Sequence, residues 1–207
     1  MKYLIKNVLK KKYKYHVFYL HLPKTGGNTI RQIFQNNYKI TNKLYFGSDM
    51  QRQREFEKIC KSQNQFGNFT TGHIYYGYHK LLPEGVPFKY YTILRDPIDR
   101  IISQYNYIVS GQSINWLSKK RHDLSFSEYI RSKLELDIDN MQTRRIAGID
   151  YHFDKYPYGS LNKNCLEDAI GNIKNDFFTP GILSNFDKSI LTTKKEFNLK
   201  HCYYKLK

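Results

Sequence analysis

Short continuous apolar runs alternate along the chain with sets of apolar residues spaced at three to four positions. Val17 to Leu22 is a run of the first kind and predicts a buried strand, and Lys89 to Leu94 (KYYTIL) predicts a second. Asn68 to Gly72 predicts a short strand and Phe177 to Leu183 a late one. Helical spacing places Ile30, Ile33 and Phe34 on one face of a helix over 28–37, and Phe56 with Ile59 on a polar helix over 49–62. Ile101, Ile102, Tyr105 and Ile108 line up over 98–109. Further helices are predicted over 127–134, 138–147 and 166–174, and from Asp187 onward. Strands alternating with helices predict an α/β fold with a largely parallel central sheet and flanking helices on both faces. No repeat and no Pro/Gly/Ser-rich linker divides the 207 residues, so a single domain over 1–207 is expected, with residues 1–15 as a basic N-terminal arm.

Charge narrows the partners. With 34 Lys and Arg against 18 Asp and Glu, the formal charge is +16. This predicts anionic partners: nucleic acid, anionic lipid, small anions or glycans. A generally Lys-rich composition would give the same total. Aromatic residues make up 16% of the chain, but they form no recognisable nucleic-acid motif with the basic ones, so no specific nucleic-acid partner is expected. Cys60, Cys165 and Cys202 are few, odd in number and widely spaced, which argues against a disulfide framework or a zinc site and for reduced thiols in the cytoplasm. The opening MKYLIKNVLKKKYKY lacks the ~20 apolar residues of a membrane span and is not followed by a small-residue cleavage site. It reads as a frayed basic terminus or as an amphipathic arm touching a membrane surface.

Candidate chemistry begins at LPKTGGNT, residues 22–29. A strand ending near Leu22 and a helix from about Asn28 leave Pro23–Gly27 as the connecting loop. Gly26 and Gly27 can take positive φ and bring bare backbone close to a ligand. Free N–H groups at the helix start favour an anion there. Lys24 adds a mobile charge and Thr25 and Thr29 add hydroxyls, with Asn28 or Thr29 able to cap the helix. A phosphate or sulfate fits this set. The order GxxxxGK[ST] of nucleotide triphosphate loops is absent, because Lys precedes the glycines. A Gly-rich turn with a surface Lys is the plainer alternative.

The stretch YTILRDPIDRIISQY, 91–105, again runs strand, loop, helix. Arg95 falls at the strand's carboxyl end, where open α/β sheets bind ligands. Asp96 suits the helix cap and Pro97 its first turn. Ser103 follows Arg95 by eight residues, so both can grip one phosphate if the loop folds back. Arg100 reads either as a third positive group or as a partner for Asp96. On spacing alone, a helix cap and a phosphate site are equally supported.

LPKTGGNT resembles the 5′-phosphosulfate loop of sulfotransferases, and LRDPIDRIISQY resembles their 3′-phosphate motif. Together they suit 3′-phosphoadenosine 5′-phosphosulfate (PAPS), which carries charge at both places. The chain resembles carbohydrate sulfotransferases, in particular the heparan sulfate 2-O-sulfotransferase-like group and its bacterial relatives. TGHIYYGYH (71–79), NMQTRRIAG (140–148) and LEDAIGNIKNDFFTPGILSNFDKSILTT (166–193) agree, so the resemblance covers about 16–195. It implies a P-loop-like sulfotransferase fold and a PAPS-dependent transferase without a metal. By resemblance, Lys24 contacts the bridging oxygen and the 5′-phosphate, and Thr25, Gly26, Gly27, Asn28 and Thr29 cradle the 5′-phosphosulfate. Arg95 and Ser103 hold the 3′-phosphate. His73 matches the catalytic base, with His79 as its competitor; imidazole titrates near neutral pH and can take a hydroxyl's proton. His21 reads as part of the strand entering the loop.

The implied acceptor is a hydroxyl, foremost a sugar of a glycan or glycolipid, with Lys119, Lys120, Arg121, Arg131, Arg144 and Arg145 either facing an acidic acceptor or forming a solvated face. Relatives continue through a segment that helps close over the 3′-phosphate, whereas recognisable sequence here stops near 195, which sets an expectation of weaker nucleotide binding. The absence of a membrane anchor favours a soluble enzyme. A phosphotransferase and a non-catalytic glycan- or nucleic-acid-binding module on the same fold are the alternative readings.

Overall fold

The computed structural model describes residues 15–38, 41–62, 68–110, 123–133, 136–149 and 155–204. Strand β1 (His16–Leu20) leads into α1 (Gly27–Asn37), then β2 (Thr41–Leu44), α2 (Asp49–Lys61) and β3 (Phe69–Gly72). After β4 (Phe88–Tyr91) and β5 (Ile93–Leu94) come α3 (Pro97–Val109), α4 (Phe126–Ser132), α5 (Met141–Ala147) and α6 (Lys163–Asp176), then β6 (Gly181–Ile182) and α7 (Phe186–Glu196). The main sheet runs β2-β3-β1-β4 with every neighbour parallel, and β5 pairs with β6 in parallel beside it. In register, Val17 faces Phe69 on one side and Lys89 on the other. The predicted α/β fold with a mostly parallel central sheet is the fold observed.

Every residue of β1 is buried, because helices cover both faces of the sheet. Val17 and Tyr19 point to one side, among Ile30, Ile33 and Phe34 of α1 and Ile190 of α7. Phe18 and Leu20 point to the other, among Phe56 of α2, Ile146 of α5 and Ala169 of α6. A separate cluster joins Ile108 of α3 to Tyr129 of α4 and Ile138, with Ile101 and Tyr105 against it. Ile102, expected on that face, is instead 40% exposed.

Several predicted elements are interrupted, each for a local reason. KYYTIL divides at Thr92, whose hydroxyl donates to the Leu20 carbonyl at 2.8 Å while its own carbonyl accepts from Gly181 N–H at 3.0 Å. The late strand shrinks to β6: Phe177 makes a single bridge to Tyr90, and Pro180 has no N–H to give. The helix expected from Ile138 starts at Met141, after a 3₁₀ turn over Leu136–Ile138 and a left-handed Asn140. Strand β2 (TNKL) has no sequence prediction, because its four residues are too few and too polar to give a period. Residues 1–14 of the basic arm and Lys119, Lys120 and Arg121 lie outside the described residues. Among the described residues, no helix is long and apolar enough to cross a membrane.

The order β2-β3-β1-β4 reverses direction at β1: the chain first builds outward to β2 and β3, then returns past β1 to β4. Ligand sites of open parallel sheets lie at such a reversal, beyond the carboxyl ends of the strands. His21, His73 and Arg95 all follow strand carboxyl ends there, after β1, β3 and β5.

Candidate active site

The loop after β1 turns through two left-handed residues, Lys24 (φ 67°) and Gly26 (φ 79°). Thr25 is fully buried, and its hydroxyl donates to the Leu22 carbonyl at 2.9 Å, so the hydroxyl expected to face a ligand ties the loop to itself. Gly26 is the N-cap of α1, with no side-chain capping bond and no acidic residue in the first turn. The cap expected from Asn28 or Thr29 is absent because the helix already begins at Gly27, which places both residues inside its first turn. That leaves first-turn N–H groups and the positive end of the helix dipole at the cleft with no acidic residue in the helix's own first turn. Gly27 is required by its neighbour: a Cβ there would lie 2.0 Å from His21 Cδ2. Lys24, about half-buried, carries its ammonium 4.1 Å from the centre of the Tyr107 ring, a cation–π contact. Partial burial, and then the charge of Arg95, hold its pKa below the ordinary lysine value.

The second loop is fastened to the first. Arg95 Nη1 donates to the Lys24 carbonyl at 3.0 Å. The Arg95 peptide is held from α5: its N–H donates to Gln142 Oε1 at 3.0 Å, and Gln142 Nε2 donates back to the Arg95 carbonyl at 2.8 Å. Asp96 caps α3 as expected, accepting from the N–H groups of Ile98 (2.9 Å) and Asp99 (3.0 Å), with Pro97 in the first turn. Ser103 lines the same cleft as Arg95. Arg100 serves neither of its expected roles; it is buried and donates to the Asp137 carbonyl.

His73 is the first residue after β3. Gly72 permits it: a Cβ at Gly72 would strike the Leu44 carbonyl at 2.1 Å, and His73 N–H donates to that same carbonyl at 3.1 Å. The His73 ring stacks on His21 (centroids 5.4 Å apart) and meets Tyr45 edge-on at 5.1 Å. Burial, with Arg145 and Arg52 nearby, pulls its pKa from 6.5 to about 4, against the opposing pull of Asp137 and the His21 main chain. His73 is therefore neutral at pH 7, and a weaker base than the near-neutral imidazole expected from the sequence. His79 stands apart: its ring stacks on Phe88 at 4.1 Å, and Nδ1 pairs with the Tyr90 hydroxyl at 3.1 Å.

These groups open onto one cleft of about 780 Å³. Lys24, Gly26, Gly27, Asn28, Thr29, His73, Arg95 and Ser103 line it, and of the predicted site residues only Thr25 does not. Arg31, Tyr45, Arg52, Asp137 and Arg145 also line it and were not placed in the site from the sequence, apart from Arg145 as an acceptor-facing candidate. No motif surrounds Tyr45 or Arg52; the NMQTRRIAG segment was the available signal for Arg145. Arg145 lies 3.8 Å from the Asp137 carboxylate, and Arg52 donates to the Gly47 carbonyl at 2.6 Å. The charged lining is thus strongly cationic. Arg144, expected as a possible acceptor contact, is fully buried; it binds Asp139 and the carbonyls of Tyr156 and Pro157, and so holds the fold instead. Arg131 is exposed on α4 and does not line the cleft. No group of three or more His, Cys, Asp and Glu side chains suited to a metal occurs among the described residues.

Chemically, the cleft offers an uncapped helix terminus for one anion, a guanidinium and a hydroxyl for another, and a neutral imidazole near both. Among solved structures, mouse sulfotransferase SULT7A1 complexed with adenosine 3′,5′-bisphosphate (PAP) has a similar fold, with a TM-score of 0.51 at 14% identity. The similarity covers 98% of this chain and 64% of the mouse chain, so this chain spans just under two thirds of that protein's length. No curated protein sequence matches it. The profile of the sulfotransferase family matches residues 9–168, well over half of the chain, and the chain belongs to that family.

Proposed function

We propose that this chain moves a sulfuryl group from PAPS to a hydroxyl acceptor by in-line transfer, acting as a single domain in the cytoplasm. The observation that carries this reading is the bond from Arg95 to the Lys24 carbonyl at 3.0 Å, which joins the two anion-binding loops into one site. A ligand with an anionic group at each end suits such a site. In this reading the N–H groups from Thr25 to Asn28, with the Thr29 hydroxyl, hold the 5′-phosphosulfate, and Arg95 with Ser103 holds the 3′-phosphate. Lys24 meets the charge that gathers on the leaving phosphate oxygen. His73 takes the acceptor's proton as the new S–O bond forms and the old one breaks.

The acceptor in this reading is a sugar hydroxyl of an acidic glycan or glycolipid, as the likeness to the heparan sulfate 2-O-sulfotransferase group suggests. Arg31, Arg52 and Arg145 support it by making the cleft cationic. A thermal-shift titration with PAP, followed by a sulfate-transfer screen over glycans, tests the whole reading. PAP at about 100 times its Kd adds about 2.7 kcal/mol of stability. No shift at millimolar PAP, or a larger shift with ATP and magnesium, would overturn the donor assignment. Binding of an acidic glycan with no turnover of PAPS would make the protein a binding module instead.

A further inference from the structure

We propose that His21 is a second catalytic histidine, whose Nε2–H donates a hydrogen bond to the sulfuryl group as that group passes from donor to acceptor. The inference rests on the sulfotransfer reading above.

One nitrogen of the His21 ring is occupied. His21 Nδ1 lies 2.9 Å from the Tyr45 hydroxyl, and that hydroxyl lies 2.7 Å from Thr71 Oγ1. We assign this relay the direction Thr71 to Tyr45 to Nδ1, which puts the imidazole proton on Nε2. The Nε2 edge is directed at the anion-binding helix start: a Cβ on Gly27 would fall 2.1 Å from Nε2. Gly27 is the first residue of α1, beside the uncapped N–H groups. The ring also stacks on His73, with 27° between the planes. His21 therefore bridges the helix terminus that suits the donor anion and the imidazole that suits the acceptor's proton, and it lines the cleft itself.

A neutral donor at this place suits the reaction. Burial, with His73, Arg31 and Arg145 nearby, pulls the His21 pKa down to about 3, so the ring is uncharged at pH 7. The sulfur–oxygen bond to the leaving phosphate breaks as the one to the acceptor forms. The acceptor's proton goes to His73, and the freed electron pair stays on the phosphate oxygen beside Lys24. His21 keeps its proton throughout; it only holds the sulfuryl oxygens while they move, a role that a fixed, preorganised donor performs well.

The plainer alternative is that the ring merely fills space over Gly27. Two substitutions separate the readings. His21→Asn reproduces a polar group near Nδ1 but none at Nε2; His21→Gln extends an amide toward the Nε2 position. Removing one preorganised donor costs about 10²–10³ in kcat, so His21→Asn should lose about that much and His21→Gln should regain most of it. The PAP-induced rise in melting temperature should be similar in both and in the parent chain. Histidine-labelled ¹⁵N spectra of the PAP complex should show His21 as the Nε2–H tautomer, with that preference lost in Tyr45→Phe. An undiminished kcat in His21→Asn, an equal loss in both variants, or an Nδ1–H tautomer in the complex would overturn the proposal. A parent chain that shows no PAP shift or no sulfate transfer would remove the sulfotransfer reading along with it. A parent chain that transfers sulfate while His21→Asn keeps its rate would remove this inference alone.

Discussion

His73 and Lys24 occupy the cleft in different ways, and substitution should separate them. His73 is a half-buried, neutral imidazole that makes no claim on a nucleotide phosphate in the proposed reaction, so His73→Ala should leave the PAP-induced thermal shift nearly intact. Its turnover should fall by about 10²–10⁴, the usual weight of a positioned general base. Lys24→Ala should damage both, because in the proposed reaction one ammonium meets ground-state phosphate and developing charge alike. His79→Ala should leave turnover close to normal, since that ring is engaged with Phe88 and Tyr90 outside the cleft. A dead His79→Ala beside an active His73→Ala, in a sulfate-transfer assay, would move the base. Most of the cleft's predicted residues were legible because glycine, lysine and threonine crowd a strand-to-helix junction, where the backbone itself dictates their use. Tyr45 and Arg52 were not, since each reaches the cleft from an element whose own sequence shows only polar helix or short strand. Thr25 misled for a physical reason: a hydroxyl in a tight loop has a carbonyl within reach before any ligand arrives.

At the scale of elements, α5 does more for the site than its seven residues suggest. Through Gln142 it satisfies both the N–H and the carbonyl of Arg95, at the point where β5 gives way to α3. Gln142→Ala leaves that peptide unpaired in a half-buried place, which costs about 1–3 kcal/mol. The expected outcome is a lower melting temperature together with a smaller PAP shift, read in the same titration; an unchanged PAP shift would separate α5 from the site. The sequence placed nearly every long helix to within a few residues, because their periodicity is strong and Asp96–Pro97 punctuates α3 openly. It failed where side chains compete with the ladder. Thr92 spends its hydroxyl on β1 and splits a strand that propensity alone would run through.

For the whole molecule, three desolvated histidines set an acid limit. His16, His21 and His73 have their pKa values pulled from 6.5 to about 3, 3 and 4, in each case chiefly by burial. The unfolded chain takes up these protons near pH 6.5, while the folded chain refuses them until much lower pH. Stability from this source is complete above pH 6.5 and declines as pH falls toward 4, with a slope of about 1.4 kcal/mol per pH unit for each histidine. Melting temperatures recorded between pH 7 and pH 4.5 should fall steadily, and a flat profile would contradict the burial of these rings. The all-parallel pairing has a different consequence, in time rather than in energy. Among the described residues no strand meets its partner across a hairpin; Ile93 and Leu94 wait for Gly181 and Ile182, late in the chain. Contacts so far apart in sequence form slowly, so β5, which positions Arg95, is completed only after nearly all of the polypeptide has been synthesised. Pulse-labelled amide exchange during refolding should protect Val17–Leu20 before Ile93 and Leu94, and a nascent chain stopped short of residue 181 would carry the loop after β1 on a sheet still missing the strand pair that places Arg95 beside it.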